Sequence, residues 1–491
     1  MKIFFTTFLL AISWTLAYTQ NNGNINTLKV EYQLNSTEDE VHVTNCEEYG
    51  AMVFYLELSL EDTTLYAADH LDVNLDKVKT YKIAMSGRAQ YLASCAADSI
   101  VYTAFASFDG EKNVTLVVNK LNLLTGKSTY LSLYNADYKE FKLLENAKDV
   151  AYVAYTSAND GDVLSIFDFN DTTSPVENIK YPSDGDATSS ILSMRQGDGL
   201  MSVLVLTEHN DMKRNVITLY TVNNDVVTKK SAFVVHDSIM PLQCTPLMSG
   251  DDEISCFVGT YTLQRERKIM KFLKKRLSEG VFVYNVNKNQ LSLYPIQQVN
   301  NEQYLLYDDV GKAGIVLNAG AEKTVFYLSA DMLVPNYRTV EDIDYDYFGR
   351  GYNTQRIVLD GFRTIQNICY VIDETGTITD VFRDDVEGVI STFPMKRSAI
   401  LPLNGGLLSA QFANDHILYA LHRMGEKKSQ SGKFFVDNLW KKDKIIYERD
   451  CKLEHWYNNY VMIYGYQTIK NNTLLKRSRR FVFFVQKVGL I

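Results

Sequence analysis

The chain repeats one pattern of apolar and polar positions about every fifty residues. Each unit has a strand rich in β-branched and aromatic residues, then a polar turn and a second strand. Eight apolar positions mark the repeat: Val53, Val101, Val150, Met201, Ile254, Ile315, Ile368 and Ile417. The intervals between them are 48, 49, 51, 53, 61, 53 and 49 residues. Because helical periodicity is almost absent, the pattern predicts an all-β fold and excludes folds that alternate strands with helices.

A repeat of this length, made of strands alone, favours a β-propeller. In that fold each unit is a four-stranded blade that buries its faces against its neighbours. The segments 28–34 and 480–490 are predicted to be the closing strands, since an open ring would leave two sheet edges unpaired. We predict seven blades, within a range of six to eight, in a single domain over 18–491. No linker rich in Pro, Gly or Ser divides the chain.

The longest unit contains the segment 264–277, QRERKIMKFLKKRL, which has a different character. Its spacing of apolar and basic positions predicts a short amphipathic helix inserted in a loop. The segment is the one concentration of positive charge on a chain whose net charge is −9. Its predicted anion-binding residues are Lys268, Lys271, Lys274, Lys275 and Arg276. Two interpretations stay open: a site for a heparin-like glycan, anionic lipid or acidic partner, and a solvated loop.

The first seventeen residues have the composition of a secretory signal peptide. They contain one Lys, an apolar run over 3–10 and small residues near Ala17. The apolar run is shorter than the ~20 residues that span a bilayer, and no later segment is long and apolar enough. We therefore predict a secreted, extracellular protein with no membrane span. Sequons at Asn35, Asn113, Asn170 and Asn471 predict N-glycosylation.

Six cysteines in a secreted chain favour disulfide bonds. Cys244 and Cys256 flank a polar turn, so they are predicted to pair across two antiparallel strands. Cys46, Cys95, Cys369 and Cys451 permit three pairings, among which the sequence does not choose.

Three carboxylates at alternate positions, Asp342, Asp344 and Asp346, resemble the first half of a calcium-binding loop. The match is incomplete, because Tyr347 occupies the position of the usual Gly and Asn353 that of the usual Glu. The same alternation also describes an exposed strand with one polar face, so calcium as a cofactor is one of two interpretations.

Two short motifs bear on the fold and on processing. Ser157, Asn159 and Gly161 resemble a degenerate Asp-box, a hairpin turn that recurs in sialidase-like propellers, although Leu164 stands where an aromatic residue is usual. The resemblance covers eight residues and implies a structural turn, not an activity. Residues 477–480, RSRR, match a furin-type cleavage site. They lead directly into the predicted closing strand, which favours an uncut strand.

No nucleophile elbow, HExxH motif, P-loop or dinucleotide-binding turn occurs in the chain. The net charge of −9 and the pI near 5.4 argue against bulk nucleic-acid binding. We therefore predict a secreted, non-catalytic binding glycoprotein that presents propeller-face loops to a host or cell-surface protein or glycan. Two alternatives stay open: a hydrolase of glycans or lactones with a central-channel site, for which His236 beside Asp237 is a candidate base, and a binder of a small molecule such as an amine.

Overall fold

The computed structural model describes most of the chain between residues 27 and 489. The described ranges are 27–36, 39–109, 113–158, 161–171, 176–179, 187–197, 200–209, 214–223, 226–235, 239–248, 254–263, 280–295, 314–322, 325–345, 347, 349–373, 375–386, 390–391, 397–403, 406–413, 416–426, 429–436, 443–471 and 479–489. Side chains at some positions inside these strands are not described.

The described residues form eight antiparallel sheets, named here I to VIII in chain order. Sheet I contains β2 (Val41–Asn45), β3 (Ala51–Ser59), β4 (Thr63–Leu71) and β5 (Lys77–Ser86). Sheet II contains β6 (Arg88–Ala97), β7 (Ile100–Asp109), β8 (Asn113–Asn122) and β9 (Ser128–Leu133). Sheet III contains β10 (Tyr138–Ala147), β11 (Val150–Ser157), β12 (Asp162–Asp168) and β13 (Val176–Ile179). Sheet IV contains β14 (Ala187–Gly197), β15 (Leu200–His209), β16 (Arg214–Asn223) and β17 (Val226–Val235).

Sheet V contains β18 (Ile239–Met248), β19 (Ile254–Leu263), β20 (Gly280–Asn285) and β21 (Gln290–Pro295). Sheet VI contains β22 (Gly314–Glu322), β23 (Val325–Tyr345), β24 (Gly351–Asp373) and β25 (Ile378–Asp385), with β26 (Ile390–Ser391) beside β24. Sheet VII contains β27 (Ser398–Leu403), β28 (Gly406–Ala413), β29 (His416–Arg423) and β30 (Gln430–Phe435). Sheet VIII contains β31 (Asp443–His455), β32 (Tyr460–Asn471), β33 (Arg479–Gly489) and β1 (Thr27–Leu34).

Eight apolar clusters join these sheets in a cycle. Seven clusters lie between successive sheets from I to VIII, and the eighth packs Val53 and Leu71 of sheet I against Met462 and Val485 of sheet VIII. The first strand of each sheet from I to VII contacts the first strand of the next, so these strands are called the inner strands below. Each sheet thus buries both faces against its neighbours, and the architecture is β-propeller-like.

Sheet VIII combines strands from the two ends of the described chain. β1 pairs with β33 from Thr27 with Val488 to Leu34 with Phe481, and these are the segments that the sequence predicted as closing strands. A buried ionic network supports the pairing. The Lys29 ammonium lies 3.1 Å from Glu31, and Arg480 lies 2.8 Å from the other oxygen of Glu31 and also pairs with Asp443. Because its partners come from three different strands, the network fixes the position of β1 as well as its pairing.

The prediction of seven blades is not confirmed, since the described residues form eight sheets. The first five marker positions, from Val53 to Ile254, each lie in the second strand of a separate sheet. Ile315 and Ile368 then both fall in sheet VI, in β22 and β24, and no marker falls in sheet VIII. The markers no longer match one sheet each because β23 and β24 are 21 and 23 residues long, about twice the usual length of a strand in this protein.

Hydrogen bonds from side chains also connect successive sheets. The inner strands β6 and β14 each carry a β-bulge near their start, which disturbs the ladder to the next strand. In β6 the amide of Tyr91 donates to the hydroxyl of Tyr66 at 3.0 Å. In β14 the amide of Ile191 donates to the carboxylate of Asp162 at 2.7 Å. Both acceptors belong to the preceding sheet, so the bulged strand is bonded across the interface.

Asp331 makes the corresponding link between sheets VI and VII. Its buried carboxylate accepts hydrogen bonds from the backbone amides of Arg397 at 2.7 Å and Ser398 at 3.1 Å. The amide of Asn367 donates to its other oxygen at 2.7 Å. A buried carboxylate is stable only when donors surround it, as they do here.

The predicted disulfide between Cys244 and Cys256 is not formed. Register pairs Cys256 with Leu247, three residues from Cys244, and side chains an odd number apart in a strand point to opposite faces. Cys244 therefore faces sheet IV, and Cys256 faces sheet VI. All six cysteines lie among the described residues and no disulfide joins any two of them, since each packs in a different interface: Cys46, Cys95, Cys244, Cys256, Cys369 and Cys451.

The predicted helical insertion is not confirmed, because 264–277 lies outside the described residues. In the part of the chain that the structure describes, the helical structure is one 3-10 turn, Glu47–Tyr49. No helix there is both long and apolar enough to cross a membrane.

Candidate functional site

A long hairpin projects from sheet VI, and residues 334–361 of it are called the arm below. The neighbouring strand β22 pairs with β23 only over 325–333, and β25 pairs with β24 only over 366–372. Beyond these positions β23 and β24 pair with each other as far as Tyr345 and Gly351. At about 3.3 Å per residue, twelve residues per strand give the arm a length of roughly 40 Å.

One face of the arm carries three exposed aliphatic side chains among polar ones. Register pairs Tyr337 with Leu359, Thr339 with Ile357, and Ile343 with Asn353, so these side chains share a face. Ile343, Ile357 and Leu359 are 55%, 50% and 45% exposed. Glu341 and Gln355 form an exposed polar pair between Ile343 and Ile357 on this face, so Ile357 and Leu359 lie next to each other and Ile343 lies apart from them.

The opposite face of the arm carries three polar pairs between its strands, together with Val340, Val358 and Tyr352. Arg356 lies 2.5 Å from Asp342, and Thr354 donates to Asp344 at 3.4 Å. Arg338 lies 3.0 Å from Asp360 near the base of the arm. These cross-strand pairs stabilise the hairpin, and Ile343, Ile357 and Leu359 are aliphatic side chains that would gain from contact with another surface.

Two carboxyl groups on inner strands have strongly raised pKa values. Burial raises the pKa of Glu454 in β31 to about 7, although the ammonium of Lys452 opposes the shift. The hydroxyl of Tyr464 donates to Glu454 at 3.4 Å. Burial likewise raises the pKa of Glu145 in β10 to about 7, with Arg195 of β14 opposing it. A carboxyl that titrates near neutral pH can act as a general acid or base.

The inner strands of sheets I and II carry a further polar group. The imidazole of His42 stacks on the ring of Tyr91, with centroids 4.0 Å apart and planes 12° apart. Burial, with a smaller contribution from the charge of Lys452, lowers the pKa of His42 to about 4, so this histidine is neutral at pH 7. The hydroxyl of Ser94 forms short hydrogen bonds with the hydroxyls of both Tyr91 and Thr44. The arrangement packs His42 tightly and gives it the role of a neutral aromatic side chain.

The structure gives the calcium prediction no support. Asp342 and Asp344 lie in the extended strand β23 of the arm, and Asp346 lies outside the described residues. Alternate residues of a strand are roughly 7 Å apart, so their carboxylates lie side by side and do not wrap around one ion. Asp342 is also paired with Arg356.

Several other predicted residues fall outside the described part of the chain. They are the leader 1–17, His236, Asp237, Arg477 and the basic residues Lys268, Lys271, Lys274, Lys275 and Arg276. Of the predicted glycosylation sites, Asn35, Asn113 and Asn170 are exposed, and the side chain of Asn471 is not described. Arg480 is the second residue of β33, the strand that pairs with β1, and is ion-paired with Glu31.

The turn that resembles an Asp-box closes the hairpin between β11 and β12. The amide of Ser157 donates to the carbonyl of Gly161 at 2.7 Å, and Gly161 has a φ of +79°, which favours glycine. Asn159 lies outside the described residues. The role of Ser157 and Gly161 here is structural.

The sequence reasoning missed the arm, the two inner-strand glutamates and a cluster formed by Cys369, Asp384 and His422. A signal for the arm was available, because the turn FGRGY is flanked on each side by about twelve residues without a second turn. The glutamates and the cluster gave no local signal. Their properties come from burial and from contacts between sheets that are distant in sequence.

No family model matches the chain, and no similar protein is found among curated sequences. Among solved structures the chain is similar to the polysaccharide lyase Uly1, with 9% identity and a TM-score of 0.40 over 81% of this chain and 90% of that one. It is also similar to putative 6-phosphogluconolactonases from Bacteroides fragilis (13%, TM-score 0.37, 82% and 97%) and Bacteroides uniformis (12%, TM-score 0.38, 84% and 96%). These similarities are too distant to bear on the activity or the site of this protein.

Proposed function

We propose that this protein is a secreted binding protein built on an eight-bladed propeller, and that it contacts an extracellular protein through the face of the arm that carries Ile343, Ile357 and Leu359. The single observation behind the proposal is the exposure of these three aliphatic side chains, each about half exposed, on one face of the arm. The signal-like leader and the three exposed sequons support an extracellular location.

The arm has the energetics of an element that needs a partner. A two-stranded ribbon alone is only marginally stable in water, and among the described residues no third strand pairs with the arm. Completing the burial of a half-exposed aliphatic side chain contributes about 1 kcal/mol, so the three side chains together contribute about 3 kcal/mol to binding. That is roughly a hundredfold in the dissociation constant.

Charge favours a protein partner over an anionic glycan. The arm contains three arginines and five carboxylates, and Arg338 and Arg356 are already paired with Asp360 and Asp342. A heparin-like chain needs an excess of unpaired positive charge. Exposed aliphatic side chains beside paired charges fit a mixed apolar and polar surface on a protein instead.

The test compares two triple variants on a panel of purified extracellular proteins and glycans. Ile343→Ser, Ile357→Ser and Leu359→Ser together should weaken binding to a protein on the panel roughly a hundredfold. The matched control is Leu56→Ser, Leu58→Ser and Leu60→Ser, which alters three leucines of similar exposure (46%, 44% and 52%) in and next to sheet I. Equal binding by both variants, or binding of glycans alone, would overturn the proposal.

The raised pKa values of Glu454 and Glu145 favour hydrolysis as a second candidate function. Glycoside hydrolysis uses a carboxylic acid that stays protonated near neutral pH. Screening glycosides and lactones with the wild type, Glu454→Gln and Glu145→Gln tests this candidate. A turnover that either variant abolishes would support a hydrolase, and a turnover that both variants retain would exclude these carboxyls from it.

A further inference from the structure

Three side chains with metal-binding atoms converge between sheets VI and VII. They are Cys369 in β24, Asp384 in β25 and His422 in β29, and one donor atom from each lies within 4.8 Å of the others. Cys369 is fully buried, the His422 side chain is 0% exposed, and the Asp384 side chain is 17% exposed. Within the described residues this is the one group of its kind.

Strand register explains why these groups meet. Cys369 pairs with Phe382, and Asp384 follows two residues later on the same face of β25. Both therefore face sheet VII, where His422 points back from β29. The imidazole Nε2 of His422 lies 2.8 Å from Asp384 Oδ2, and Ser409 of β28 donates to the same oxygen at 2.7 Å. The thiol of Cys369 donates to Asn367 at 3.1 Å.

The surroundings of His422 hold its ring in one orientation. Ser429 Oγ lies 2.7 Å from Nδ1, and the ring of Phe382 stacks on the imidazole with centroids 4.4 Å apart. When Nδ1 donates its proton to a hydroxyl, Nε2 presents a lone pair toward Asp384 and Cys369. A hydrogen-bond partner on the far nitrogen is typical of histidines that bind metals.

We propose that Cys369, Asp384 and His422 bind one zinc ion, with Ser409 or a water molecule at the fourth position. Thiolate, imidazole and carboxylate together match Zn²⁺, whereas Ca²⁺ and Mg²⁺ select oxygen ligands. Zinc bonds of 2.0–2.3 Å place neighbouring ligand atoms roughly 3.3–3.8 Å apart. Side-chain adjustments of about 1 Å would therefore close the site from its present separations.

Charge balance supports this assignment. The ion carries two positive charges, and a Cys369 thiolate and an Asp384 carboxylate carry two negative charges, so the loaded site is neutral inside the interface. Binding releases the thiol proton of Cys369 to solvent, which makes affinity rise with pH. The inference goes beyond the proposed function, but it concerns the same sheet. β24 contains both Cys369 and half of the arm, so the ion would fix the base of the arm to sheet VII.

The experiment uses the full mature chain, purified without a metal-binding tag, treated with chelator and then titrated with Zn²⁺ and, separately, with Co²⁺. We expect about one zinc ion per chain after dialysis, and a cobalt spectrum with a thiolate charge-transfer band and intense tetrahedral visible bands. Cys369→Ser should remove the charge-transfer band and weaken zinc binding at least a hundredfold. The matched control is Cys256→Ser, a buried cysteine of the interface between sheets V and VI, which should leave both unchanged.

Ser429→Ala provides a milder variant, because its side chain is exposed and its loss leaves the core intact. It should weaken zinc binding 10- to 100-fold by freeing the His422 ring. Zinc well below one ion per chain, a charge-transfer band that survives Cys369→Ser, or unchanged affinity in Ser429→Ala would each overturn the site. Those results would leave the cluster as a hydrogen-bonded link between two sheets, without affecting the test of the arm.

Discussion

Replacing Glu454 with Gln is expected to stabilise the protein at pH 8 and to change its stability little at pH 5. Burial on the inner strand β31 raises the pKa of this carboxyl to about 7 from its ordinary value of 4.5. Between pH 4.5 and about pH 7 the Glu454 carboxyl is ionised in the unfolded chain but keeps its proton in the folded chain. Stability therefore falls as the pH rises from about 4.5 to about 7, and it stays lower above that window.

The magnitude follows from the two pKa values. The difference between 4.5 and about 7, at about 1.4 kcal/mol per pKa unit, is worth about 3 kcal/mol at pH 8. At pH 5 the unfolded carboxyl is only partly ionised and the corresponding effect is below about 1 kcal/mol. Gln removes the charge and keeps an oxygen that can accept from Tyr464, so most of this energy should appear as added stability at pH 8.

The assay is urea unfolding followed by tryptophan fluorescence at pH 5, 6, 7 and 8, since Trp456 is buried and reports on the core. The gain of Glu454→Gln should increase steadily across this series. The matched control is Glu140→Gln on β10, whose side chain is exposed and whose replacement should have little effect at any pH. A variant that is equally stable at all four pH values, or less stable at pH 8, would refute the reasoning, because the buried carboxylate would then be stabilised by its partners.

Three further perturbations have defined outcomes. Asp331→Ala should lower the free energy of unfolding, measured in urea, by about 3 kcal/mol or more, because the buried backbone amides of Arg397 and Ser398 lose their acceptor. Wild-type stability of the variant would contradict this link between sheets VI and VII. Lys29→Met should destabilise the protein by about 3 kcal/mol, because Glu31 stays buried with one partner fewer. Hydrogen exchange should become faster in β1 than in the other strands, and an equal rate in all strands would argue against this. Replacing Lys271, Lys274, Lys275 and Arg276 with Ser should abolish retention on heparin while leaving Tm nearly unchanged, and equal retention of the variant, or flow-through of the wild type at low salt, would mark 264–277 as a solvated loop.

The strand content could be predicted because its causes are local. Alternation of apolar and polar residues and the turns between strands predicted strands at Val53, Val101 and Val150, and the structure places these residues in three successive sheets. The pairing of β1 with β33 could also be predicted, since these two strands would otherwise leave open sheet edges. The predicted number of blades differs from the number of sheets because the arm lengthens β23 and β24 of sheet VI, whereas a fixed repeat length assumes strands of equal length.

The cysteine prediction failed for a different reason. Cys244 and Cys256 have a spacing that suits a hairpin pair, but pairing across two strands requires that both side chains point to one face. A bulge and the register of β18 with β19 decide that face, and neither can be read from spacing alone. Burial then raises the pKa of the Cys256 thiol to about 12, which keeps it protonated and unreactive.

By itself, the sequence determined the all-β class, the repeating four-stranded units and the two strands that meet in sheet VIII, because each depends on neighbouring residues or on the ends of the chain. Only the tertiary structure decided which groups acquire chemistry. Cys369 and His422 are 53 residues apart and belong to different sheets, and Glu454 owes its raised pKa to the burial of an inner strand. Contacts between sheets have no fixed separation along the chain, and burial depends on every strand that packs nearby, so no local pattern contains them.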